Sequence, residues 1–280
     1  MQQIISKAQW QCLADMPANR PLILQFHWRW GEAEPADISA VVAELQKHQL
    51  ISRSKVDLLA IGDSGNAWSE LWLVEYSNPA QAKAHLDAPQ MQGLLAEARN
   101  AEILVATLPH PRVQRFLRVL SHLLGWLPQP RRGADMPDAE LTGGINPTRQ
   151  QMQAFSEAAQ DSPTHMYNLL RFHDRAQYVD GDRGHNGQQA YETGYGRVAL
   201  SCILRLGGRI VALGRYRFTL LGNNGEPGPD AWDEIAVLEY PNRQAFTHML
   251  SNPTYLKALE HRHAGLQTTQ VWSTSPLLAG

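Results

Sequence analysis

WSELWLVEYSNP, residues 68–79, recurs as WDEIAVLEYPNR at residues 232–243. Trp68, Glu70, Glu75, Tyr76 and Asn78 match Trp232, Glu234, Glu239, Tyr240 and Asn242. The offset of 164 residues (232 − 68) continues without a gap to Pro89 and Pro253. Self-similarity over this distance is the mark of a chain built twice from one unit. Upstream, Asp15, Pro17, Leu24, Phe26 and His27 match Asp161, Pro163, Leu170, Phe172 and His173 at an offset of 146 (161 − 15), so the second copy carries an insertion of 18 residues (164 − 146).

Both copies predict the same series of elements. A short helix (Lys7–Ala14; Arg149–Gln160) and an Asp-x-Pro break precede a first strand, Leu22–Trp28 or Met166–His173. A helix follows, Ile38–His48 or Gln188–Leu206, the latter stopped by Gly207 and Gly208. A second strand and a turn at Gly65, or at Gly222–Gly225, lead into the duplicated third strand. Asn78 and Asn242 are placed to cap the next helix, Pro89 and Pro253 to start a further turn with Asn252 as a cap, and Ile103–Thr107 and Thr268–Trp272 to close each copy. The order βαββαβ is the split βαβ, ferredoxin-like unit. The expected class is therefore α+β, with two ferredoxin-like units at residues 1–109 and 148–280.

Between them, residues 110–147 hold an amphipathic stretch and a linker. Val113, Phe116, Leu117, Leu120, Leu123, Leu124 and Leu127 share a helical face, with Arg112, Arg115 and Arg118 among the polar positions. Such a helix packs across the two copies or on a partner subunit, and a membrane surface is the minor alternative. The Pro and Gly content from Pro128 to Pro147 marks the linker.

Composition narrows the partners. A net charge of −2 with a pI near 6.6 lacks the basic excess of a nucleic-acid binder. The 43% hydrophobic content over 280 residues is enough for real cores without staples. Two cysteines, Cys12 and Cys202, give no CxxC and no disulfide framework, which fits a reducing cytoplasm. A basic leader followed by an apolar run does not occur, nor does a spanning apolar stretch, so the sequence predicts a soluble chain that is not exported.

The second copy resembles a bacterial family through MYNLLRF, the AY of GQQAYETGYG, GGR before a strand, WDEIAVLEYPNRQAF, the NPTY turn and HRHAGL. It is similar to the domain-of-unknown-function family numbered 1330, of the dimeric α/β-barrel superfamily. The resemblance covers roughly Thr148–Pro276 and the first copy only faintly. It implies two ferredoxin-like sheets packed face to face, within one chain or across a homodimer, with ligands between a sheet and its helices. Relatives in the superfamily include cofactor-free monooxygenases, muconolactone isomerases and haem-handling enzymes, so the fold implies a pocket without naming a chemistry.

Differences between the copies point to where a small-molecule site would lie. Under the offset of 146, Asn168 and Arg171 align with Leu22 and Gln25; in the helix that follows, Tyr191 and Tyr195 align approximately with Ser39 and Ala43. The inserted HDRAQYVDGDRGHNG also belongs to the second copy alone. A pocket is therefore expected in the second copy, with the first structural. Strand alternation puts Tyr167, Leu169, Arg171 and His173 on one face and Met166, Asn168, Leu170 and Phe172 on the other. Arg171 either pairs structurally with Glu234 or anchors a ligand anion with its fork, and His173 would then serve as a base. Asn168, Tyr191, Tyr195 and Glu234 complete the candidate ligand-binding set, although an aromatic helical pair such as Tyr191 and Tyr195 also suits a core. His248, His261 and His263 lack metal-ligand spacing. DGDRGHNG is not a calcium loop, because Tyr191 stands where the bidentate Glu belongs. No dinucleotide, P-loop or nucleophile-elbow motif occurs. The expected chemistry is a cofactor-independent isomerase or monooxygenase type acting on a small aromatic or carbonyl metabolite. The competing expectation is a non-catalytic binding or assembly module with Arg171 in a salt bridge.

Overall fold

Asn78 and Asn242 follow the two similar strands as helix caps. Asn78 Oδ1 accepts from Gln81 N at 2.9 Å and Asn242 Oδ1 from Ala245 N at 2.8 Å, each satisfying an otherwise orphaned donor. The computed structural model describes residues 5–32, 35–36, 38–46, 50–108, 119, 127–158, 161–222 and 232–278. Apart from Val119 and Leu127, the amphipathic stretch Arg112–Leu127 lies outside the described residues, as do the ends of two expected helices and most of the turn beginning at Gly222.

The first half runs α1 (Lys7–Ala14), β1 (Leu22–Arg29), α2 (Ile38–Gln46), β2 (Leu50–Ile61), β3 (Glu70–Tyr76), α3 (Pro79–Leu86), α4 (Pro89–Glu97) and β4 (Asn100–Thr107). The second half runs α5 (Arg149–Glu157), β5 (Thr164–Phe172), α6 (Gly187–Ala190), a π-helical turn (Tyr191–Gly196), α7 (Arg197–Arg205), β6 (Arg209–Leu221), β7 (Glu234–Tyr240), α8 (Arg243–Leu250), α9 (Pro253–Gly265) and β8 (Leu266–Leu278). Ser6 and Thr148 open α1 and α5 with capping boxes, as a Gln three residues on allows.

All eight strands close one barrel in the order β1-β3-β2-β8-β5-β7-β6-β4, every neighbour antiparallel. β2 pairs with β8 and β4 with β6, so the halves seal each other within one chain and leave no free sheet edge. Alternation then sorts side chains into three cores. Ile23, Leu71, Leu104, Tyr167, Ile235 and Trp272 fill the lumen. Outside the barrel, one layer packs β1 and β3 on the first half's helices and another packs β5 and β7 on the second half's. The segment after Leu127 is pinned to the second half, with Pro128 O accepting from Arg205 Nε at 2.7 Å and Arg131 O from Asn252 Nδ2 at 2.7 Å.

Strand register corrects the alignment of the two first strands. Leu22 faces Tyr76 and Thr164 faces Tyr240, so with Tyr76 and Tyr240 equivalent the offset in this strand is 142 (164 − 22). Asn168 therefore corresponds to Phe26, Arg171 to Arg29 and His173 to Gly31, in place of Leu22, Gln25 and His27. The shared Leu-x-Phe-His is a coincidence of composition. A slip of four leaves every residue on its own face of the sheet, so hydrophobic alternation does not penalise it.

Candidate functional site

The corrected register shows one layer filled and the other open. In the first half, Phe26 and Trp28 stack with ring centroids 5.6 Å apart, and Trp72 lies 5.3 Å from Trp28, all fully buried under the helices. The corresponding residues of the second half are Asn168, Leu170 and Ala236, each smaller. A cavity of about 320 Å³ occupies the space, at the small end of the range for small-molecule sites. Its wall is largely apolar, with Met166, Leu170, Ile203, Leu213, Leu238 and Val271 among its lining residues.

The same replacements expose a carboxylate. Glu70 is held by the guanidinium of Arg53, from Nε at 2.7 Å and Nη2 at 2.9 Å, and by Trp72 Nε1 at 2.7 Å. Glu234 occupies the equivalent position, but Leu213 stands for Arg53 and Ala236 for Trp72. Among the described residues no ion pair reaches Glu234, and it lines the cavity. Burial, reinforced by Glu192 and Asp233 and opposed by Arg215, pushes its pKa up to about 7.

Helical irregularity places the aromatic lining. Tyr191 and Tyr195 lie in the π-helical turn, their rings 5.0 Å apart, and Tyr195 Oη bonds Tyr255 Oη of α9 at 2.9 Å. Such single π turns often occur at functional sites. Two glycines permit the close approach of α9. A Cβ on Gly194 would meet the His261 ring at 2.2 Å, and one on Gly265 would lie 3.0 Å from Tyr191 Cβ. Burial holds the Tyr191 and Tyr255 phenols protonated, well above the ordinary range. The inserted loop clamps the outside of α9, with Tyr178 Oη 2.8 Å from His261 Nδ1 and Arg183 over the Tyr178 ring.

Asn168 donates from Nδ2 to Met166 O at 2.8 Å and to Ala236 O at 3.0 Å. Both partners are carbonyls, so the amide nitrogen must face them, and Oδ1 remains as an acceptor at the cavity wall. Arg262 of α9 also lines the cavity at 5% exposure, its Nη1 donating to Asn146 Oδ1 at 2.8 Å.

Of the six site residues read from sequence, the cavity brings together Asn168, Tyr191, Tyr195 and Glu234. Arg171 is exposed at the end of β5, and no ion pair joins it to Glu234 among the described residues. His173 sits outside the wall, where its main chain bonds Gly265 O and Gly187 N, each at 2.9 Å, and its ring faces Gln177. Tyr255 and Arg262 went unread. Both lie in short motifs of the sequence, Tyr255 in NPTY and Arg262 in HRHAGL. No group of three or more His, Cys, Asp or Glu is placed to hold a metal ion among the described residues, and no described helix is long and apolar enough to cross a membrane.

A protein of unknown function from Rhodopseudomonas palustris is 34% identical to this chain, the match covering 49% of this chain and 100% of that one with a TM-score of 0.44. The chain belongs to the same family as that protein. A mutant chlorite dismutase from Candidatus Nitrospira defluvii is similar over 96% of both chains, at 12% identity and a TM-score of 0.48. No family model matches the chain, and no curated protein does. The likeness to family 1330 therefore rests on its motifs alone.

Proposed function

We propose that the cavity under α7 and α9 binds a small, largely apolar carbonyl compound and that Glu234 moves a proton on it, as in a cofactor-independent isomerase. The observation that carries this reading is Glu234 itself, stripped of the Arg and Trp that hold its counterpart Glu70. A half-buried carboxylate facing an apolar cavity without an ion-pair partner is costly and persists where it serves a purpose. With a pKa of about 7 it is matched to proton transfer near neutrality. Glu234 would take a proton from the carbon beside the carbonyl. In a β,γ-unsaturated ketone the C–H electron pair would form a new C=C bond as the carbonyl π pair passes to oxygen, which the neutral Tyr191 hydroxyl can meet as a donor, and re-forming the carbonyl as Glu234 returns the proton to the γ-carbon would complete a double-bond isomerisation. Asn168 and Tyr195 would orient the ligand, while Arg171 and His173 have no part in this reading.

The same proposal takes residues 1–109 and 148–280 as copies of one ferredoxin-like unit, joined by residues 110–147 in a single-chain version of the dimeric α/β-barrel. The strand orders β4-β1-β3-β2 and β8-β5-β7-β6 support it.

The test is a thermal-shift screen of small aromatic and alicyclic ketones, followed by NMR of solvent deuterium incorporation into each compound that binds. The expected result is exchange catalysed by the native chain and at least about 100-fold slower with Glu234→Gln, a typical loss for a general base. Equal exchange in the two proteins would remove Glu234 from the reaction.

A further inference from the structure

We infer that the ligand of this cavity is a carboxylate and that Arg262 binds it. The inference rests on the cavity being the binding site and adds its substrate class. Two arginines of the second half are almost wholly buried, Arg243 at 1% and Arg262 at 5% exposure. Buried guanidinium groups ordinarily come with a carboxylate, because an uncompensated charge in the interior is strongly destabilising. Arg243 obeys this rule. It pairs with Asp57, and Ser273 Oγ lies 3.4 Å from its Nη2.

Arg262 does not. Among the described residues no carboxylate pairs with it, and its one hydrogen bond runs from Nη1 to the neutral amide of Asn146 at 2.8 Å. Glu140, on the far side of Asn146, is already engaged, since it accepts from Asn146 Nδ2 at 3.3 Å and lies 3.0 Å from His263 Nε2. Asn146 thus stands between Glu140 and Arg262 with its carbonyl turned to the arginine. A guanidinium has five N–H donors in a planar fork. Arg262 spends one on Asn146, lies 5.9 Å from the Tyr195 ring centroid and lines the cavity, and no other hydrogen bond claims its fork among the described residues. Its place in the last turn of α9 favours a cation but supplies no counter-ion.

Arg262 and Glu234 divide the cavity by charge. The acid lies at the start of β7, beside Glu192 and Arg215 at the helix-turn side, and the base lies on α9 against Tyr195 and Tyr255. A ligand with a carboxylate at one end and an apolar body fits this arrangement. The carboxylate would take paired N–H bonds from Arg262, the geometry for which the fork is built. The body would lie against Met166, Leu170 and Ile203, its far end beside Glu234.

Isothermal titration of the full chain with 2-naphthoate and its neutral isostere 2-naphthamide tests this. The acid is expected to bind native protein at least tenfold tighter than the amide. In Arg262→Gln that preference falls below twofold, and Arg262→Lys keeps part of it. An amide that binds native protein as tightly as the acid overturns the inference and leaves the cavity reading standing, and this comparison needs no variant to fold. A preference that survives in Arg262→Gln also overturns it. Binding of neither compound overturns the cavity as a binding site and this inference with it.

Discussion

Glu70 and Glu234 stand at the same register position in the two halves of the barrel, the first opposite Trp28 and the second opposite Leu170. Glu70 is locked by Arg53 and Trp72, whereas Glu234 faces a cavity. Three exchanges account for the difference: Trp28 for Leu170, Trp72 for Ala236 and Arg53 for Leu213. The first two open space. The third removes the counter-ion.

Restoring that counter-ion should restore the first half's electrostatics. Leu213→Arg places a guanidinium where Arg53 sits relative to Glu70, and an opposite charge within about 4–6 Å lowers a carboxylate pKa by 1–3 units. The pKa of Glu234, followed by NMR of a carboxyl-labelled sample, is expected to move from about 7 toward the ordinary range near 4.5. A value near 7 in both proteins would show that burial alone governs it.

Stability should depend on Glu234 with a defined sign. Its pKa is raised on folding, from 4.5 to about 7, so the folded state holds the proton more tightly than the unfolded chain. Below pH 4.5 both states are protonated and no cost arises. Between these values the cost grows, and above pH 7 it is complete, at most about 3 kcal/mol from one pKa unit being 1.36 kcal/mol. Glu234→Gln is therefore expected to raise Tm at pH 8 and to leave it nearly unchanged at pH 4, as measured by calorimetry.

Glu239 should show the opposite dependence. His165 Nε2 at 2.9 Å and the two-pronged contact from Arg209 hold its carboxyl down to about 2 despite partial burial. That stabilisation is present above the unfolded value of 4.5 and is lost as pH falls from there through 2. Glu239→Gln is expected to cost about 1–3 kcal/mol in urea unfolding at pH 7. The difference should shrink steadily as the pH falls below 4.

Most of the architecture was legible because it is carried by local signals repeated twice. The Asn caps, the Pro helix starts and the alternating third strands fall where composition puts them. Differences between the halves singled out Asn168, Tyr191 and Tyr195, but strand faces alone set Glu234 with Arg171, whereas register puts it opposite Leu170, on the face of Asn168. Arg171 was over-read because the Leu-x-Phe-His coincidence made it look gained in one copy, while register pairs it with Arg29. The decisive signal was an absence, Ala236 and Leu213 at the register positions where the first half has Trp72 and Arg53. Small apolar residues in a strand read as ordinary core until their neighbours across the sheet are known. Arg262 was hidden for a related reason, since HRHAGL resembles a basic helix end and only burial distinguishes it.

Arg171→Ala provides a sharp contrast with the cavity residues. The side chain is exposed and lines no part of the wall. Titration of 2-naphthoate into this variant should give an affinity within about twofold of native, since surface changes away from a site are energetically small. A tenfold loss would return Arg171 to the binding machinery.

The central claim is that the second half binds a ligand in the space that aromatic side chains fill in the first. Ala236→Trp rebuilds the Trp72 position and puts an indole into the cavity of about 320 Å³. The most direct measurement is titration of 2-naphthoate into native and Ala236→Trp proteins, with circular dichroism to confirm that both are folded. The account predicts binding to the native chain and at least a tenfold loss in the variant, with no fall in Tm. Equal affinity in the two folded proteins would contradict it.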